Sequence, residues 1–454
     1  MSGLLHERWM LGNTVPVDHG LPVLAEVDVV VVGAGAAGVA AATVCAENGL
    51  SVIIVERYGF AGGAAVAGMS GTICGLYLAS DDSREPEQAV FGFAERFRAG
   101  LEARGGLTAP QRYGKTWTVA HDPLVWREVA DDLMFNAGVR ILFHSVITGV
   151  VMDGDVHRGV VVESNAGSIA IHARRTIDAS GDAAVVARAG WRCTFGDGGR
   201  IQNPTMFFRL GNVDTAAFWA DYGEDTICST ELTQRIVEER GRGYDLPREK
   251  IWVFATPREG ELLVNATRLA DTDGRMLNVI DPEDFTIAEL LGRKQVRGYA
   301  DFLRRAVDGL DRSFVVDTGV EAGVRQTRSI ASVAPLTNDQ VVACAKPDDG
   351  IVRSPWPIEL HDGPRPRLHW LLDDYYLVPY SALVPERGEN IIVAGRCLGA
   401  EHEALASARV TAQCFEYGHA AGLATVMSLE SDVAYRALDV GDLKSRLVRG
   451  GSAI

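Results

Sequence analysis

The sequence predicts an α/β protein with two domains, one built on a parallel sheet and the other, an α+β domain, on an antiparallel sheet. Three observations carry this prediction. A strand, a glycine turn, a helix and a second strand follow one another over Asp28–Glu56. Another buried-strand pattern with a glycine turn, ENIIVAG, occurs at residues 389–395. Between these segments, IWVFAT (251–256) and ELLVNATRL (261–269) are separated by a short turn, as antiparallel strands are.

The composition excludes several classes of function before any motif is considered. The chain has 454 residues and a formal net charge of −16, and a surface this acidic repels nucleic-acid phosphates and anionic lipid. The first 20 residues contain no basic segment followed by an apolar run, so we expect no signal peptide. The 7 cysteines form no CxxC pair, which argues against a metal centre and a disulfide framework. We therefore expect a soluble, reduced, cytoplasmic protein without nucleic-acid or membrane partners.

The turn of the first unit carries the pattern Gly33-x-Gly35-x-x-Gly38, between the strand DVVVV and a helix. Gly33 permits a tight turn, Gly35 lets a pyrophosphate approach the helix N-terminus, and Gly38 allows the helix to pack closely on the strand. Glu56 ends the second strand, where an acidic side chain accepts hydrogen bonds from a ribose diol. The alternative is a glycine-rich packing turn beside a solvated glutamate. In this strand–turn–helix context, the pattern favours a Rossmann-like dinucleotide site.

The residues after Glu56 distinguish NAD from FAD, which the glycine motif alone does not. The run ERYGFAGGAAVAGMSG contains Gly62 and Gly63 and stays small through Gly68, so its backbone can lie against a flat ring system. A flexible surface loop is the alternative. The segment RTIDASGD ends a buried strand with the small residues of 180–182, whose backbone can also pass close to a dinucleotide. The alternative interpretation of this segment is an ordinary strand-to-helix turn. Both segments favour FAD.

Further elements follow from capping signals and residue spacing. Asp122-Pro123 has the pattern of an N-cap followed by proline in the first turn, and predicts a helix to about Asn136. Thr286 and Glu289 form a capping-box pattern that predicts a helix to about residue 307. The remaining patterns predict a helix within 87–104, several short strands over 139–182, and an ordered loop at 348–369.

With these motifs in order, the sequence resembles the FAD-dependent oxidoreductases that have a glutathione-reductase-type FAD domain, related to the succinate dehydrogenase and fumarate reductase flavoproteins. The resemblance covers most of the chain. It rests on DVVVVGAGAAGVAAA…VIIVERYGFAGG, TIDASGDAAVVARAG, TMFFRLGNV, EAGVRQTRSI and NIIVAGRCLGAEHEALASARVTAQCFEYGHAAG. It implies a discontinuous FAD-binding domain, a helical insertion and a substrate domain. Their expected bounds are 24–80, 119–205 and 386–432 for the first, 81–118 for the second and 206–385 for the third.

The resemblance also gives the C-terminal glycine turn a role. It implies that the turn at Gly395 closes over the flavin, with the N-terminus of the following helix directed at the pyrimidine side of the ring. The implied cofactor contacts come from the two glycine turns and the small-residue segments. They are Gly33, Gly35, Ala36, Ala37, Gly38, Glu56, Arg57, Gly62, Gly63, Ala64, Gly68, Met69, Val146, Ser180, Gly181, Asp182, Gly395, Arg396, Ser407, Ala408, Arg409 and Val410.

Two absences narrow the expected reaction. No second GxGxxG unit follows Glu56 and no Cys-x4-Cys follows Gly63, so neither an NAD(P)H domain nor a redox dithiol is expected. Electrons then leave to oxygen, a quinone or a carrier protein. We expect a dehydrogenase or oxidase that moves hydride from a small amine, alcohol or hydroxy acid to flavin N5. A homo-oligomer is compatible with this expectation. The alternatives are fumarate-reductase-like reduction of an activated C=C bond and an electron-relay subunit.

Several side chains are candidates for chemistry, each with a structural alternative. His402 is the first choice for a base, and a helix-capping histidine is its alternative. Arg325 and Arg409, with Arg328, suit the anchoring of a carboxylate, although a salt bridge in an acidic protein explains any one of them. Tyr380 is a candidate for the wall above the flavin. Cys74 or Cys397 could form a thioether to the flavin, but a buried free cysteine is the commoner case.

Overall fold

The computed structural model describes residues 20–82, 85–154 and 156–454. The expected absence of a signal peptide concerns residues that lie almost entirely outside these ranges. The strands are β1 (Val23–Val32), β2 (Val52–Val55), β3 (Thr72–Ile73), β4 (Gln111–Tyr113), β5 (Thr116–Ala120), β6 (Arg140–Leu142), β7 (Val146–Asp153), β8 (Val156–Ser164), β9 (Gly167–Asp178), β10 (Cys193–Phe195), β11 (Phe208–Gly211), β12 (Trp252–Ala255), β13 (Leu262–Asn265), β14 (Phe314–Thr318), β15 (Arg328–Ile330), β16 (Gly350–Ser354), β17 (Ile358–Leu360), β18 (Arg367–His369), β19 (Tyr376–Pro379) and β20 (Ile391–Val393). The helices are α1 (Ala36–Glu47), α2 (Phe93–Glu102), α3 (Pro123–Ala137), α4 (Ala184–Arg188), α5 (Thr215–Tyr222), α6 (Thr230–Gly241), α7 (Pro282–Ala306), α8 (Asn338–Val342), α9 (His402–Ala408), α10 (Thr411–Ser431) and α11 (Val440–Arg449).

The first domain is organised by a seven-stranded sheet in the order β6-β2-β1-β9-β8-β7, with β20 also paired to β9. Strands β6, β2, β1, β9 and β20 are parallel, whereas β8 and β7 are antiparallel to their neighbours. Val29–Val32 of β1, together with β2 and β20, are buried on both faces, which is why these segments read as continuous valine and isoleucine runs. The strand–turn–helix–strand prediction for the N-terminal unit and the return of the C-terminal strand are confirmed.

Helix α1 lies between this sheet and α10 and is buried along most of its length. Two glycines make the close packing possible. A Cβ on Gly38 would lie 1.8 Å from the Gly33 carbonyl oxygen, and one on Gly418 would lie 2.1 Å from the Ala37 carbonyl oxygen. No side chain fits at these distances, so α1 sits tightly against its own turn and against α10.

The second domain is a four-stranded antiparallel sheet in the order β12-β13-β11-β14, covered by α5, α6 and α7. The β12–β13 hairpin pairs Trp252 with Asn265, as predicted from the two apolar runs. The chain enters and leaves this domain through adjacent connectors. The Thr205 and Gly323 backbones exchange N–H···O bonds of 3.0 and 2.6 Å. The α/β fold with a second α+β domain is confirmed.

The division of the chain between the two cores differs from the predicted domain bounds. The second core draws on residues from Met206 to Ala322 only. Residues Ile330 to Val384 pack into the first core, as do Phe93 and Phe97 of α2. The segment after residue 322 and the predicted helical insertion therefore belong physically to the first domain, because their apolar side chains are buried against α10 and its neighbours.

Local predictions have mixed outcomes. Helix α3 begins as expected, since the Asp122 carboxylate accepts from the Leu124 and Val125 amides. Helix α7 starts one turn earlier than the predicted capping box, because Asp281-Pro282 supplies the cap. The Glu289 carboxylate instead accepts from the Ala322 amide at 2.6 Å.

The predicted loop at 348–369 was wrong, since it contains β16, β17 and β18. The prolines of this segment lie outside the three strands. They therefore do not interrupt the pairing of β16 with β19 or the pairing of β17 with β18. Across residues 20–82, 85–154 and 156–454, no helix has the length and apolar character needed to cross a bilayer.

Candidate functional site

A cavity of about 710 Å³ runs between the two domains. On one side it meets the carboxyl ends of β1, β2, β9 and β20, the edge of a parallel sheet where ligands bind. On the other side it reaches the second domain, at Phe207, Phe254 and Asn265. We call the end near the first glycine turn the glycine end, and define it by Gly33, Gly35, Glu56, Gly62 and Gly63.

Backbone forms most of the glycine end. Gly35 is the N-cap of the twelve-residue helix α1, and its extended backbone leaves the first amides of the helix facing the cavity. Gly63 approaches from the next turn, so closely that a Cβ on it would lie 2.9 Å from the Gly35 Cα. Free helix amides and the helix dipole together favour a phosphate at this position.

Glu56 is held rigidly beside that turn. One carboxylate oxygen accepts from the Ala34 amide at 2.7 Å and the other from the Tyr58 amide at 2.9 Å. Burial raises the pKa of Glu56, and these two amide hydrogen bonds oppose the rise. The carboxylate lines the cavity in the place where an acid would accept the hydroxyls of a ribose. The glycine end therefore fits the pyrophosphate and ribose of a dinucleotide.

The neighbouring Arg57 connects the glycine end to the second domain. Its guanidinium forms a salt bridge with Glu321, which also accepts from the Tyr58 hydroxyl. Glu321 belongs to the connector that leaves the second domain. The pair therefore links the wall of the cavity to the junction between the domains.

The middle of the cavity is formed where the second small-residue turn meets the C-terminal glycine turn. Arg396 donates to the Asp182 carboxylate at 2.8 Å, and Thr327 donates to the same oxygen at 2.6 Å. Gly181 lies so close to Arg396 that a Cβ would be 2.9 Å from its Nε. Three segments that are far apart in sequence are thus joined in one wall.

Most of the predicted cofactor residues line this cavity. They are Gly33, Gly35, Ala36, Ala37, Glu56, Arg57, Gly62, Gly63, Ala64, Val146, Ser180, Gly181, Asp182, Gly395, Arg396, Arg409 and Val410. Those that do not line it are Gly38, Gly68, Met69, Ser407 and Ala408. Gly38 and Gly68 pack against other backbone segments, Met69 is part of a small hydrophobic cluster, and the Ser407 hydroxyl donates to the Trp356 carbonyl.

The C-terminal segment differs from its prediction in one respect. It contains two helices, α9 and α10, with a break at Arg409–Val410. The carbonyl of Ala408 at the end of α9 accepts from the Tyr417 hydroxyl at 2.8 Å. Val410 and Thr411 line the cavity, so the helix N-terminus that faces it is that of α10 rather than that of the helix beginning at His402.

The inner end of the cavity is made of side chains. We call it the polar chamber and define it by Tyr113, Arg325, Glu359, His361 and Arg409, all of which line the cavity. The apolar walls beside it are Phe207, Phe254 and Trp356. A ligand with an apolar body and a polar head would match this combination.

A chain of hydrogen bonds orients the Glu359 carboxylate. Arg248 donates to His361 Nδ1 at 3.2 Å, and because a guanidinium cannot accept, the imidazole proton is assigned to Nε2. Nε2 lies 3.4 Å from Glu359 Oε1, which also accepts from the Tyr113 hydroxyl at 2.6 Å. Burial raises the pKa of Glu359, but the hydrogen bonds from His361 and Tyr113 and the nearby Arg409 guanidinium oppose this and hold the pKa below its ordinary value. Glu359 is therefore ionised at neutral pH although it is buried.

The structure places two of the four predicted catalytic residues at the cavity and two away from it. Arg325 and Arg409 line the cavity, whereas His402 and Tyr380 do not. His402 is the first residue of α9 and its Nδ1 faces Gly196, at 3.2 Å from a Cβ built there. The Tyr380 hydroxyl donates to the Tyr435 carbonyl at 3.0 Å within the first core. Neither side chain is placed to act on a ligand in the cavity.

Of the two cysteines proposed for a flavin link, one lines the cavity and the other does not. Cys74 lines the cavity, with its sulfur near the hydroxyls of Thr72 and Thr118. Cys397 is fully buried and its sulfur lies 3.7 Å from the Asp178 carbonyl oxygen, away from the cavity. Cys414, which the sequence did not single out, lines the cavity as well.

Sequence reasoning missed Tyr113, Arg248, Glu359 and His361. A signal existed for two of them, because Glu359 and His361 are separated by one residue at the end of β17, and alternate strand residues share a face. The prediction of a loop at 348–369 concealed that register.

Comparisons with known proteins agree with the geometry of the glycine end. The sequence model of a family described as FAD dependent oxidoreductase matches residues 28–447. Among curated protein sequences no match was found. A geranylgeranyl bacteriochlorophyll reductase-like protein from Thermoplasma acidophilum is structurally similar, with a TM-score of 0.50 and 14% identity over 94% of this chain and 83% of that chain. The p-nitrophenol 4-monooxygenase of Pseudomonas putida gives a TM-score of 0.49 and 12% identity over 93% and 84%. The similarity to the Thermoplasma acidophilum protein shows the fold alone.

Proposed function

Because the chain belongs to the FAD dependent oxidoreductase family, we propose that it is a dehydrogenase or oxidase that removes hydride from a small organic substrate. The observation that carries the proposal is the continuity of the cavity. It joins a glycine end suited to a dinucleotide with a buried polar chamber suited to a substrate. A subunit that only relays electrons has no need of such a chamber.

The cofactor would lie along the cavity with its adenine half at the glycine end. The α1 N-terminus at Gly35 would hold the pyrophosphate, and the Glu56 carboxylate would accept the ribose hydroxyls. The wall formed by Asp182 and Arg396 would border the ribityl chain, and the α10 N-terminus at Thr411 would face the ring. The bound flavin supplies the two-electron acceptor for hydride.

Glu359 is the proposed base in place of His402. It lines the cavity, it is ionised at neutral pH, and both of its orienting hydrogen bonds reach Oε1. Among the described residues no hydrogen bond reaches Oε2, which leaves that oxygen to accept a substrate proton while hydride departs. Tyr113 and His361 are positioning residues in this scheme.

The electrons would then pass to an external acceptor, which we take to be oxygen, a quinone or a carrier protein. The family alone leaves the direction of the reaction open. Reduction of an activated C=C bond uses the same cavity with Glu359 in its protonated form, which its low pKa disfavours.

The test is an absorbance spectrum of the purified protein followed by anaerobic addition of amines, alcohols, hydroxy acids and enoates. We expect flavin absorbance that is bleached by one class of electron donor. Flavin that no donor bleaches, but that is reoxidised by an enoate after dithionite reduction, would replace the oxidase with the reductase. Gel filtration distinguishes the enzyme from an electron-relay subunit. A relay subunit requires a different partner chain, whereas the enzyme is complete as a monomer or homodimer.

A further inference from the structure

Two arginines of the polar chamber have neutral hydrogen-bond partners. Arg325 is 7% exposed, and its Nη1 donates to the Asn203 carbonyl at 2.6 Å. Arg409 donates to the side-chain oxygen of Gln202 at 3.2 Å. Within the described part of the chain, neither guanidinium forms a salt bridge with a carboxylate. Glu359 is the one carboxylate whose charge raises the pKa of both guanidiniums. A single carboxylate leaves the buried Arg325 and the half-buried Arg409 incompletely compensated, so a negative ligand beside them would stabilise the protein.

The charges around the two arginines leave a positive excess. Arg248 is another buried guanidinium, which donates to Asn265 at 2.7 Å and to His361. Glu359 is the one carboxylate of the polar chamber, and its oxygen Oε1 is already engaged by Tyr113 and His361. Burial, together with the Arg248 and Arg409 guanidiniums, lowers the pKa of Arg325 well below its ordinary value. The chamber therefore attracts anions.

The cofactor does not supply the missing negative charge. Its phosphates belong at the α1 N-terminus, where Gly35 and Gly63 form the cradle. The oxidised isoalloxazine ring, which would lie nearer to the arginines, is neutral. A negatively charged substrate would complete the compensation.

We propose that the polar chamber binds an organic anion, with its carboxylate held by Arg325 and Arg409 and its apolar body against Phe207, Phe254 and Trp356. This inference rests on the proposed function for the reaction and adds the substrate class. Among amines, alcohols and hydroxy acids, it selects the hydroxy acid. For a 2-hydroxy carboxylate the C–H bond breaks and hydride passes to FAD. The hydroxyl proton passes to Glu359, and the carbon–oxygen double bond of a 2-oxo acid forms.

The experiment uses the FAD-loaded protein with oxalate as an anionic probe and oxamide as its neutral counterpart. We expect oxalate to perturb the flavin spectrum with saturation and oxamide to leave it unchanged. Arg325→Met and Arg409→Met should each weaken oxalate binding roughly thirtyfold or more, because removing one partner of a buried charge pair has effects of this size. Arg325→Lys should retain part of the affinity. Arg192→Met is the control, since Arg192 is an exposed arginine paired with Glu386, and it should bind oxalate as the unmodified protein does.

The outcomes separate this inference from the proposed function. Equal binding of oxalate and oxamide, or oxalate binding that both methionine variants retain, would overturn the anion site. A neutral alcohol or amine that bleaches the flavin, with no effect of the Arg325 and Arg409 changes, would overturn it while leaving the oxidase standing. Saturable oxalate binding that is lost in both variants would support the site even if no donor reduced the flavin. FAD content and unfolding curves show whether a variant has kept its fold.

Discussion

The two ends of the cavity are built from different materials. The glycine end consists of backbone amides and a carboxylate fixed by amides, all within Gly33–Gly63, so the residues that form it are neighbours in sequence. The polar chamber consists of side chains from four separate segments, held by hydrogen bonds and not by turns. The comparison teaches that a backbone site tolerates little change in shape, whereas a side-chain site is sensitive to changes in charge.

The largest effect is expected from neutralising the chamber. Glu359→Gln keeps the shape of the side chain and removes the proton acceptor, so anaerobic flavin reduction by a substrate should slow by about 10²- to 10⁴-fold. FAD should remain bound, because Glu359 lies away from the glycine end. Stopped-flow measurement of flavin bleaching tests both statements.

Glu386→Gln is the matched control, since Glu386 is on the surface and pairs with Arg192. Tyr113→Phe removes one hydrogen bond to Glu359 and should raise its pKa. The rate would then fall at a higher pH than in the unmodified protein as acid is added. A reduction rate that Glu359→Gln leaves unchanged would remove Glu359 from the base role.

The second-largest effect is expected when a methyl group is added at the glycine end, which changes its shape. A Cβ on Gly35 has the Gly63 Cα at 3.8 Å as its nearest neighbour, and the backbone there is extended. Gly35→Ala should therefore fold normally, while its methyl group occupies the phosphate position. We expect FAD affinity to fall about 100-fold, or about 2.7 kcal/mol, measured by FAD titration of the apoprotein.

Gly38→Ala provides the contrast, because its Cβ would overlap the Gly33 carbonyl. That variant should lose free energy of unfolding even without FAD. If Gly35→Ala bound FAD as tightly as the unmodified protein, the phosphates would have to lie elsewhere.

A third buried group, outside both ends, shows an effect of burial that the neighbouring Asp122 opposes only in part. His121 is 3% exposed and packs against the tilted ring of Trp126 with ring centroids 4.4 Å apart. Burial lowers its pKa to about 4 from an ordinary 6.5. Below pH 6.5 the unfolded chain binds a proton that the folded chain excludes until about pH 4. The free energy of unfolding should therefore fall by about 2 kcal/mol between pH 7.5 and pH 5 from this group.

His121→Phe tests this statement with a ring that does not titrate. Denaturant unfolding at both pH values should show the variant gaining about 2 kcal/mol relative to the unmodified protein on going to pH 5. An identical pH dependence in both proteins would show that His121 is not the titrating group.

The smallest effect is expected at the residue first chosen as a base. His402→Asn should change the rate of flavin reduction less than about twofold, since His402 does not line the cavity and changes away from a site have small effects on it. A large loss of rate, with FAD still bound, would restore His402 as a catalytic candidate and would contradict the assignment to Glu359.

These contrasts explain what could be predicted from the sequence. The glycine end could be predicted because its geometry is set by φ angles and close approaches within one strand–turn–helix unit. His402 was chosen because it follows the C-terminal turn. It lies two helical turns before Arg409, about 10 Å along the axis, and faces Gly196. Arg325 and Arg409 of the polar chamber were predicted one by one from their residue type. Their assembly with Tyr113, Glu359 and His361 could not be predicted, since these side chains meet only after β17 and the second domain are packed.

The paired connectors at Thr205 and Gly323 have a consequence for how substrate specificity evolves. Because the second domain enters and leaves through two hydrogen-bonded connectors that lie side by side, it is joined to the first domain as a cassette. Its length and loops can vary without changing the strand order of the nucleotide-binding sheet. Phe207 and Phe254 would then change with the cassette, while Glu56 and the α1 N-terminus stay in place. New substrates become accessible at one wall of the cavity while the redox cofactor remains the inherited part.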